Sequence, residues 1–256
     1  MPAGPAIAEA GEHYTDVYYA STEPRPDEDR WERAALDVSM RRMRRIEHVL
    51  GRKGRVLDVG SGTGFQLAGA KALGWDVQGV EVSETAAAFA RSRHDVLVVV
   101  GTLAEAAFDD SSFDAVTMVH VLEHVPDPIG LLRELQRIVR PGGVVSVAVP
   151  HPRALVHDAY NLFHRLRGRY AKDKYACGLY PPDHLYSFTR TALTTAMRTS
   201  GFTVVRTEVT GKGDPEHYPM VSWRGAGRAP AVERSLEWLG RRIGRASILD
   251  CIAVRT

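Results

Sequence analysis

Hydrophobic and polar positions in the middle of the chain alternate between two periods. Short apolar runs of strand length occur at residues 55–60, 76–82, 95–100, 113–119 and 144–149. Between these runs the apolar residues recur at the spacing of a helix face, which predicts helices over residues 65–73, 83–94 and 127–140. Strands that alternate with helices of about ten residues form parallel crossovers, so the pattern predicts an open α/β sheet with helices on both faces.

The two ends of the chain have different patterns. Residues 1–29 are rich in Pro and Glu, and a helix is predicted over residues 31–50, with the run RRMRR on a solvated face. Its buried face is expected to carry Trp31, Ala35, Val38, Ile46 and Val49. Residues 151–187 form a long insertion, rich in aromatic residues and histidine, without clear periodicity. Beyond it the pattern predicts a helix, a strand, a helix and a strand, over residues 190–199, 202–209, 232–243 and 248–254.

Composition and charge limit the class of protein. With 256 residues, 44% of them hydrophobic, the chain can bury one large core. The net charge is only +2, which disfavours nucleic acid and membrane surfaces as partners. The two cysteines, Cys177 and Cys251, lack the spacing of a metal site and suit a reducing compartment. No apolar run approaches the roughly 20 residues of a membrane span, and the first residues lack a signal-peptide pattern, so we expect a cytoplasmic globular protein.

The stretch VLDVGSGTGF, residues 56–65, carries glycines at three alternate positions directly after the first predicted strand. Ligands of an open parallel sheet bind at the carboxyl ends of its strands, so this loop is expected to border a ligand site. A phosphate-binding P-loop would need a Lys and a Ser or Thr after the last glycine, but Gly64 is followed by Phe65 and Gln66. The dinucleotide fingerprint would need its third glycine where Phe65 stands. The loop therefore favours another small cofactor.

This loop and three later segments resemble, in order, the motifs of the class I S-adenosylmethionine-dependent methyltransferases. The later segments are FDAVTMVHVLEHVPDP (residues 113–128), LLRELQRIVRPGGVVSVAVP (131–150) and PPDHLYSFTRTALTTAMRTSGF (181–202). The last of them is similar to a branch that includes ubiquinone-type O-methyltransferases and many natural-product enzymes. The resemblance implies S-adenosylmethionine as the cofactor and a Rossmann-like, seven-stranded mixed sheet with helices on both faces and an antiparallel last strand at residues 248–254.

The resemblance also implies roles for residues near the cofactor. Glu81, at the end of the second strand, falls where the family holds the ribose hydroxyls, although such an acid could instead only cap the next helix. Asp58 would order the glycine loop or meet the methionine ammonium group. Thr102 stands where the family commonly has an Asp for the adenine amino group, so a hydrogen bond from Thr102 and packing by Leu103 are expected there. The predicted cofactor-binding residues are Tyr18, Asp58, Gly60, Ser61, Gly62, Gly64, Glu81, Val82, Thr102, Leu103 and His120.

We expect the chain to consist of a lid, a main domain and a cap. Residues 1–50 would form an N-terminal lid and helix, with Tyr14, Tyr18 and Tyr19 ordering over the cofactor. Residues 51–256 would form the methyltransferase domain, and the insertion 151–187 would cap the acceptor side. The expected acceptor is a small molecule such as a sugar, a phenol or a natural-product intermediate, with O-methylation first and N-methylation second. The aromatic residues of the insertion would wall the acceptor pocket or form the cap's own core: Tyr160, Phe163, Tyr170, Tyr175 and Tyr180.

Three histidines are candidates for a catalytic base. Methyl transfer needs a base only when the acceptor arrives protonated, and histidine titrates near neutral pH. His124 follows the fourth strand, His151 follows the fifth, and His184 lies in the segment PPDHL, where two prolines stiffen the approach. Each of the three could also be a substrate contact or a hydrogen-bonded polar residue of the core.

The spacing of His120, Glu123 and His124 would let all three face one site, so a metal site there is conceivable. In ubiquinone-type relatives an acid stands in place of His120, and a divalent metal has been associated with that stretch. We prefer the alternative that Glu123 and His124 hydrogen-bond the loop around Pro126, and no resident metal is predicted. Two other classes stay open, a nicotinamide oxidoreductase, which Phe65 disfavours, and a cofactor-binding module without catalytic activity.

Overall fold

A seven-stranded sheet organises the chain, with helices packed on it. The computed structural model describes residues 28–166, 184–211 and 231–256. The predicted lid tyrosines and most of the predicted cap lie outside the described residues. In chain order the elements are α1 (Glu28–Leu50), β1 (Arg55–Val59), α2 (Phe65–Ala72), β2 (Asp76–Glu81), α3 (Glu84–His94), β3 (Leu97–Val100), β4 (Phe113–Val119), a short 3₁₀ helix (Leu122–His124), α4 (Pro128–Ile138), β5 (Val139–Pro150), α5 (Leu155–Leu166), α6 (Arg190–Thr199), β6 (Phe202–Thr210), α7 (Ala231–Arg242) and β7 (Ile248–Arg255).

The strand order β3-β2-β1-β4-β5-β7-β6 confirms the predicted mixed sheet. The first five strands pair in parallel, and β7 runs antiparallel between β5 and β6. The order reverses between β1 and β4, which is the topological switch point where open α/β sheets bind their ligands. The glycine loop follows β1 and the segment with His120, Glu123 and His124 follows β4, so both predicted sites border this crevice.

The start of α3 follows its local sequence signal, whereas the end of α4 does not. Ser83 caps α3, because its hydroxyl accepts a hydrogen bond from the amide of Ala86 at 3.2 Å. The prediction that α4 continues to residue 140, just before Pro141, is wrong. The helix ends at Ile138, and Val139 already pairs with Phe113 as part of β5. Pro141, Gly142 and Gly143 then lie in a stretch of that strand where the register to β4 shifts.

Helix α1 packs on the sheet and buries its apolar face in a second, smaller core cluster. Met43 and Ile46 are fully buried and pack with apolar residues of β1, β5 and β7. The expectation that RRMRR forms one solvated face is wrong for Arg42, which is 4% exposed. Its guanidinium lies 3.5 Å from the buried carboxylate of Asp250 on β7, which also accepts a hydrogen bond from Thr210 at 2.6 Å. The buried acid on the sheet requires a cation on the helix that covers it.

The insertion contains a helix that the sequence pattern did not predict, α5 (Leu155–Leu166). It contacts α7, and two of its aromatic side chains, Tyr160 and Phe163, are more than a third exposed. Tyr170, Tyr175 and Tyr180 lie outside the described residues. Among the helices described, none has the length and apolar character that crossing a membrane requires.

Candidate functional site

The glycine loop after β1 has a backbone that side chains would disrupt. Gly60, Gly62 and Gly64 have φ of +67°, +50° and +82°, a region that residues with a Cβ rarely adopt. A Cβ on Gly60 would lie 2.4 Å from Cγ2 of Val121. The loop therefore lies directly against the segment that follows β4. A Cβ on Gly64 would meet the Cβ of Ala90 on α3 at 2.7 Å. The glycines thus allow the loop to fit between β4 and α3.

Glu81 ends β2 with a buried carboxylate that faces the loop. Its Oε2 accepts a hydrogen bond from the amide of Gly62 at 2.7 Å, and its Oε1 accepts one from the amide of Ser83 at 2.9 Å. Burial raises the pKa of Glu81, and these backbone hydrogen bonds oppose that rise. Each carboxylate oxygen can accept a second hydrogen bond, so Glu81 can organise the loop and still bind a vicinal diol. The helix cap itself is supplied by the Ser83 side chain.

Asp58 joins the two strands at the switch point. The hydroxyl of Thr117 on β4 donates to its Oδ1 at 2.6 Å, and Asp58 is 3% exposed. Burial raises the pKa of Asp58 to about 7, against the hydrogen bond from Thr117 and the charge of Arg42. Three residues further along the chain, the buried hydroxyl of Ser61 has no hydrogen-bond partner among the described residues. The carboxyl end of β1 therefore offers the Ser61 hydroxyl for a further hydrogen bond, and the carboxyl group of Asp58 protonates near neutral pH.

The segment after β3 contains an acid that sequence reasoning missed. The amide and hydroxyl of Thr102 both donate to Oε2 of Glu105, at 2.7 and 2.8 Å, and the amide of Glu105 bonds back to the Thr102 hydroxyl at 3.3 Å. These hydrogen bonds lower the pKa of Glu105. The two residues bond each other in the reciprocal manner of a capping box, here at a turn and not at a helix, and the pattern T-x-x-E is its signal in the sequence. Val82 is 38% exposed, whereas Leu103 is buried in the core.

Three histidines and a glutamate meet after β4, and we call them the histidine cluster: His120, Glu123, His124 and His184. His120 has a φ of +55°, and its Nδ1 lies 3.2 Å from Oε1 of Glu123. Nε2 of His124 lies 3.8 Å from the same oxygen. The ring of His184 packs edge-on against that of His124, with centroids 4.7 Å apart. Burial would raise the pKa of Glu123, but the hydrogen bond and charge of His120 and the charge of His124 lower it.

Backbone hydrogen bonds bring His184 to the cluster. The amides of Leu185 and Tyr186 donate to the carbonyl of Glu123 at 2.8 and 3.1 Å. The Tyr186 hydroxyl donates to the carbonyl of Pro126 at 2.8 Å. The expectation that the Glu123 side chain bonds the loop around Pro126 is wrong, because its carboxylate faces His120 and Tyr186 bonds that loop instead.

The cluster has the donor atoms of a metal site. Ligand atoms of Glu123, His124 and His184 all lie within 4.8 Å of one another. Oε2 of Glu123 is buried and has no hydrogen-bond partner among the described residues. Two imidazoles and a carboxylate form a set that zinc and other transition metals accept. The spacing in the sequence suggested His120 as the third ligand beside Glu123 and His124, whereas the structure groups His184 with them. The same three groups could equally exchange a proton with a bound molecule.

His151 lies outside the histidine cluster. It is 6% exposed, its Nδ1 lies 3.0 Å from the carbonyl of Ala246, and it lines a cavity of about 680 Å³ at the ends of β5 and β6. Burial lowers the pKa of His151, and the charges of Arg190, Arg153 and Arg245 lower it further against the hydrogen bond to Ala246. Of the predicted catalytic residues, only His124 and His184 are therefore in contact. Tyr18 lies outside the described residues.

Comparison with known proteins gives matches to methyltransferases. A family model described as "Methyltransferase domain" matches residues 30–207. The ubiquinone biosynthesis O-methyltransferase of Alkalilimnicola ehrlichii is 37% identical over 99 residues, which make up 36% of this chain and 39% of that protein. The demethylmenaquinone methyltransferase of Tropheryma whipplei is 35% identical over 114 residues, 43% of this chain and 48% of that protein. The chain spans less than half the length of these curated relatives.

A solved structure extends the likeness of the fold over the whole chain. The geranyl diphosphate C-methyltransferase of Streptomyces coelicolor, in complex with Mg²⁺, geranyl diphosphate and S-adenosyl-L-homocysteine, is similar with a TM-score of 0.65. The alignment covers 100% of both chains at 17% sequence identity. At that identity the likeness concerns the fold.

Proposed function

The chain belongs to the class I S-adenosylmethionine-dependent methyltransferases, and we propose that it transfers a methyl group to a hydroxyl group of a small molecule. One observation carries the proposal. The glycine loop lies against Val121, which stands between His120 and the rest of the histidine cluster. Groups suited to the methyl donor and groups that can accept a proton therefore adjoin at the same edge of the sheet.

The residues of the loop fit S-adenosylmethionine. The buried carboxylate of Glu81 would repel a phosphate but can accept hydrogen bonds from two ribose hydroxyls. The glycines allow close approach of the backbone, and the unused hydroxyl of Ser61 offers a further polar contact. When bound, this cofactor supplies a methyl group already activated on a sulfonium sulfur. The protein then has to hold the acceptor at about 3–3.5 Å from that carbon and exclude water.

The histidine cluster would remove the proton of the acceptor. The carboxylate of Glu123, with its lowered pKa, stays ionised at neutral pH, and its negative charge lies beside the imidazoles of His120 and His124. His124 and His184 are in ring contact, and His124 is partly exposed. We propose that one of these two takes the hydroxyl proton as the oxygen attacks the methyl carbon. His151 would contact the acceptor from its separate cavity.

The names of the matched relatives support a quinone-related acceptor, and the first name, an O-methyltransferase, supports a hydroxyl group as the position that receives the methyl group. One is a ubiquinone biosynthesis O-methyltransferase and the other a demethylmenaquinone methyltransferase. A phenol or hydroxylated quinone would also suit a histidine base, since its proton is more acidic than that of an aliphatic alcohol. N-methylation is the second candidate, because a neutral amine needs no base to attack the methyl carbon.

A transfer assay with labelled S-adenosylmethionine tests this proposal. The acceptors are a series of phenols, hydroxylated quinones and matched anilines, and the variants are His124→Gln, His184→Gln and His151→Gln. His48→Gln, at an exposed position of α1, is the control. We expect kcat to fall by about 10²–10⁴ for the variant that lacks the base, with unchanged affinity for S-adenosylhomocysteine and unchanged melting temperature.

The outcomes separate the alternatives. Near-normal turnover of all three histidine variants would mean that catalysis is alignment alone. Methylation of the anilines but not the phenols would establish the N-methyl alternative. Binding of the cofactor without transfer to any acceptor would favour a module without catalytic activity. Loss of activity on chelation, with recovery on adding zinc, would show that Glu123, His124 and His184 hold a metal instead of serving as a base.

A further inference from the structure

Basic side chains surround the cavity of about 680 Å³ that His151 lines. We call it the arginine cavity, and its polar lining includes His151, Arg153, Thr189, Arg190 and Arg245. Among the residues that the structure describes, its lining contains no acidic side chain. Arg245 is paired with Asp158 just outside the lining and donates to the carbonyl of Arg153 at 3.0 Å. The described part of the lining therefore carries an excess of positive charge.

The position of Arg190 adds to this excess. Arg190 is the first residue of α6, and the hydroxyl of Thr189 caps that helix by accepting from the amide of Ala192 at 3.2 Å. A helix N-terminus carries a partial positive charge, so a guanidinium there is electrostatically unfavourable. A second and a third guanidinium face the same space. Such an accumulation of like charges is relieved by an anion in the cavity, and arginine binds carboxylate and phosphate groups through paired hydrogen bonds.

We propose that the arginine cavity binds an anionic group, a carboxylate or a phosphate, of the methyl acceptor. This inference rests on the proposed function, because it names the chemical class of the acceptor. A volume of about 680 Å³ is large enough for such a group and the part of the molecule that carries it.

Two short paths, one through a hydrogen bond and one along the chain, connect the cavity with the histidine cluster. The amide of His120 donates to the carbonyl of Ala148 at 2.9 Å, and His151 follows three residues later, at most about 11 Å along the chain. The segment from His184 to Thr189 runs from the cluster to the cavity and spans at most about 18 Å. One elongated acceptor can thus present a hydroxyl to the cluster while its anionic end lies among the arginines.

Binding of inorganic pyrophosphate to the full chain, measured by calorimetry at low ionic strength, tests the anion site. The variant Arg153→Gln/Arg190→Gln is compared with Arg198→Gln, a control at the exposed far end of the same helix. We expect the double variant to weaken pyrophosphate binding at least about tenfold and the control to change it less than about twofold. The melting temperature of the double variant should not fall, because the substitutions remove repulsion between like charges. Equal affinities for all three proteins, or no binding, would overturn the proposal.

A second measurement tests whether the anion belongs to the acceptor. Methyl transfer to 3,4-dihydroxybenzoate is compared with transfer to 3,4-dihydroxybenzamide, which lacks the charge. We expect a lower KM for the carboxylate, inhibition by pyrophosphate that is competitive with it, and a KM that rises about tenfold in the double variant with little change in kcat. Equal use of the two acceptors, or inhibition that is not competitive, would refute an acceptor role. A third outcome is that pyrophosphate binding depends on the arginines but no acceptor is methylated. That outcome would support the anion site and refute the proposed function.

Discussion

Glu81→Gln is the sharpest test of the cofactor site, because the two side chains have nearly the same shape. The carboxylate accepts from the amides of Gly62 and Ser83 through different oxygens, at 2.7 and 2.9 Å. A glutamine has one oxygen and one NH₂ group, so in either orientation the NH₂ group faces a backbone N–H. At the same time, the amide can no longer accept hydrogen bonds on both sides from a vicinal diol.

The expected loss follows from these contacts. One hydrogen bond to a charged acceptor is worth about 1.5–3 kcal/mol, which corresponds to binding weaker by about 10- to 150-fold. Calorimetry with S-adenosylhomocysteine measures the affinity, and the melting temperature of the free protein measures the stability. Glu84→Gln is the matched control, since Glu84 is an exposed neighbour that pairs with Arg91 at 2.6 Å. It should change the affinity less than about twofold.

Two results would refute the reasoning about Glu81. If Glu81→Gln binds S-adenosylhomocysteine within twofold of the wild type, the carboxylate does not hold the ribose. The second result is a Glu81→Gln protein that has a reduced melting temperature and regains wild-type affinity when it is assayed at a correspondingly lower temperature. In that case the carboxylate only organises the loop and the start of α3.

Three further predictions concern buried ionisable groups. Asp250→Ala should lower the free energy of unfolding by about 3–5 kcal/mol in denaturant titrations, because it leaves the Arg42 guanidinium buried without its carboxylate; a loss below about 1 kcal/mol would contradict this. Burial raises the pKa of Asp58 to about 7, so the folded state keeps a proton that the unfolded chain has already released at lower pH. As the pH rises from about 4 to about 7, the wild type should therefore lose stability relative to Asp58→Asn. Parallel pH profiles of the two melting temperatures would refute that role. Burial raises the pKa of Cys251 to about 12, so in a Cys177→Ala protein a maleimide should label Cys251 only after unfolding, and rapid labelling of the native protein would contradict its burial.

Local signals in the sequence were enough to predict most of the sheet. The apolar run of β4 and the helical spacing of α6 predict both elements with the ends that the structure has, residues 113–119 and 190–199. These features depend on the backbone sterics, caps and periodicity of a few adjacent residues, which a sequence displays directly. Helix α5 was missed although the apolar residues of LVHDAYNLFHRL recur at helical spacing, because this segment was interpreted as part of a longer insertion that as a whole has no clear period. The end of α4 was misplaced because pairing of Val139 with Phe113 outweighs the local signal of Pro and Gly.

Contacts between residues far apart in the chain were decided only by the tertiary structure. The sequence singled out His124 and His151 by their positions after strands and His184 by its segment PPDHL. The fold brings His184 to His124 and leaves His151 among arginines. Arg42 and Asp250 are 208 residues apart and pair because α1 covers β7. Periodicity determines which face of an element is buried, but it carries no information about which polar group on another element lies opposite. That pairing follows from strand order, register and the direction of the connecting segments, which depend on the packing of the whole chain.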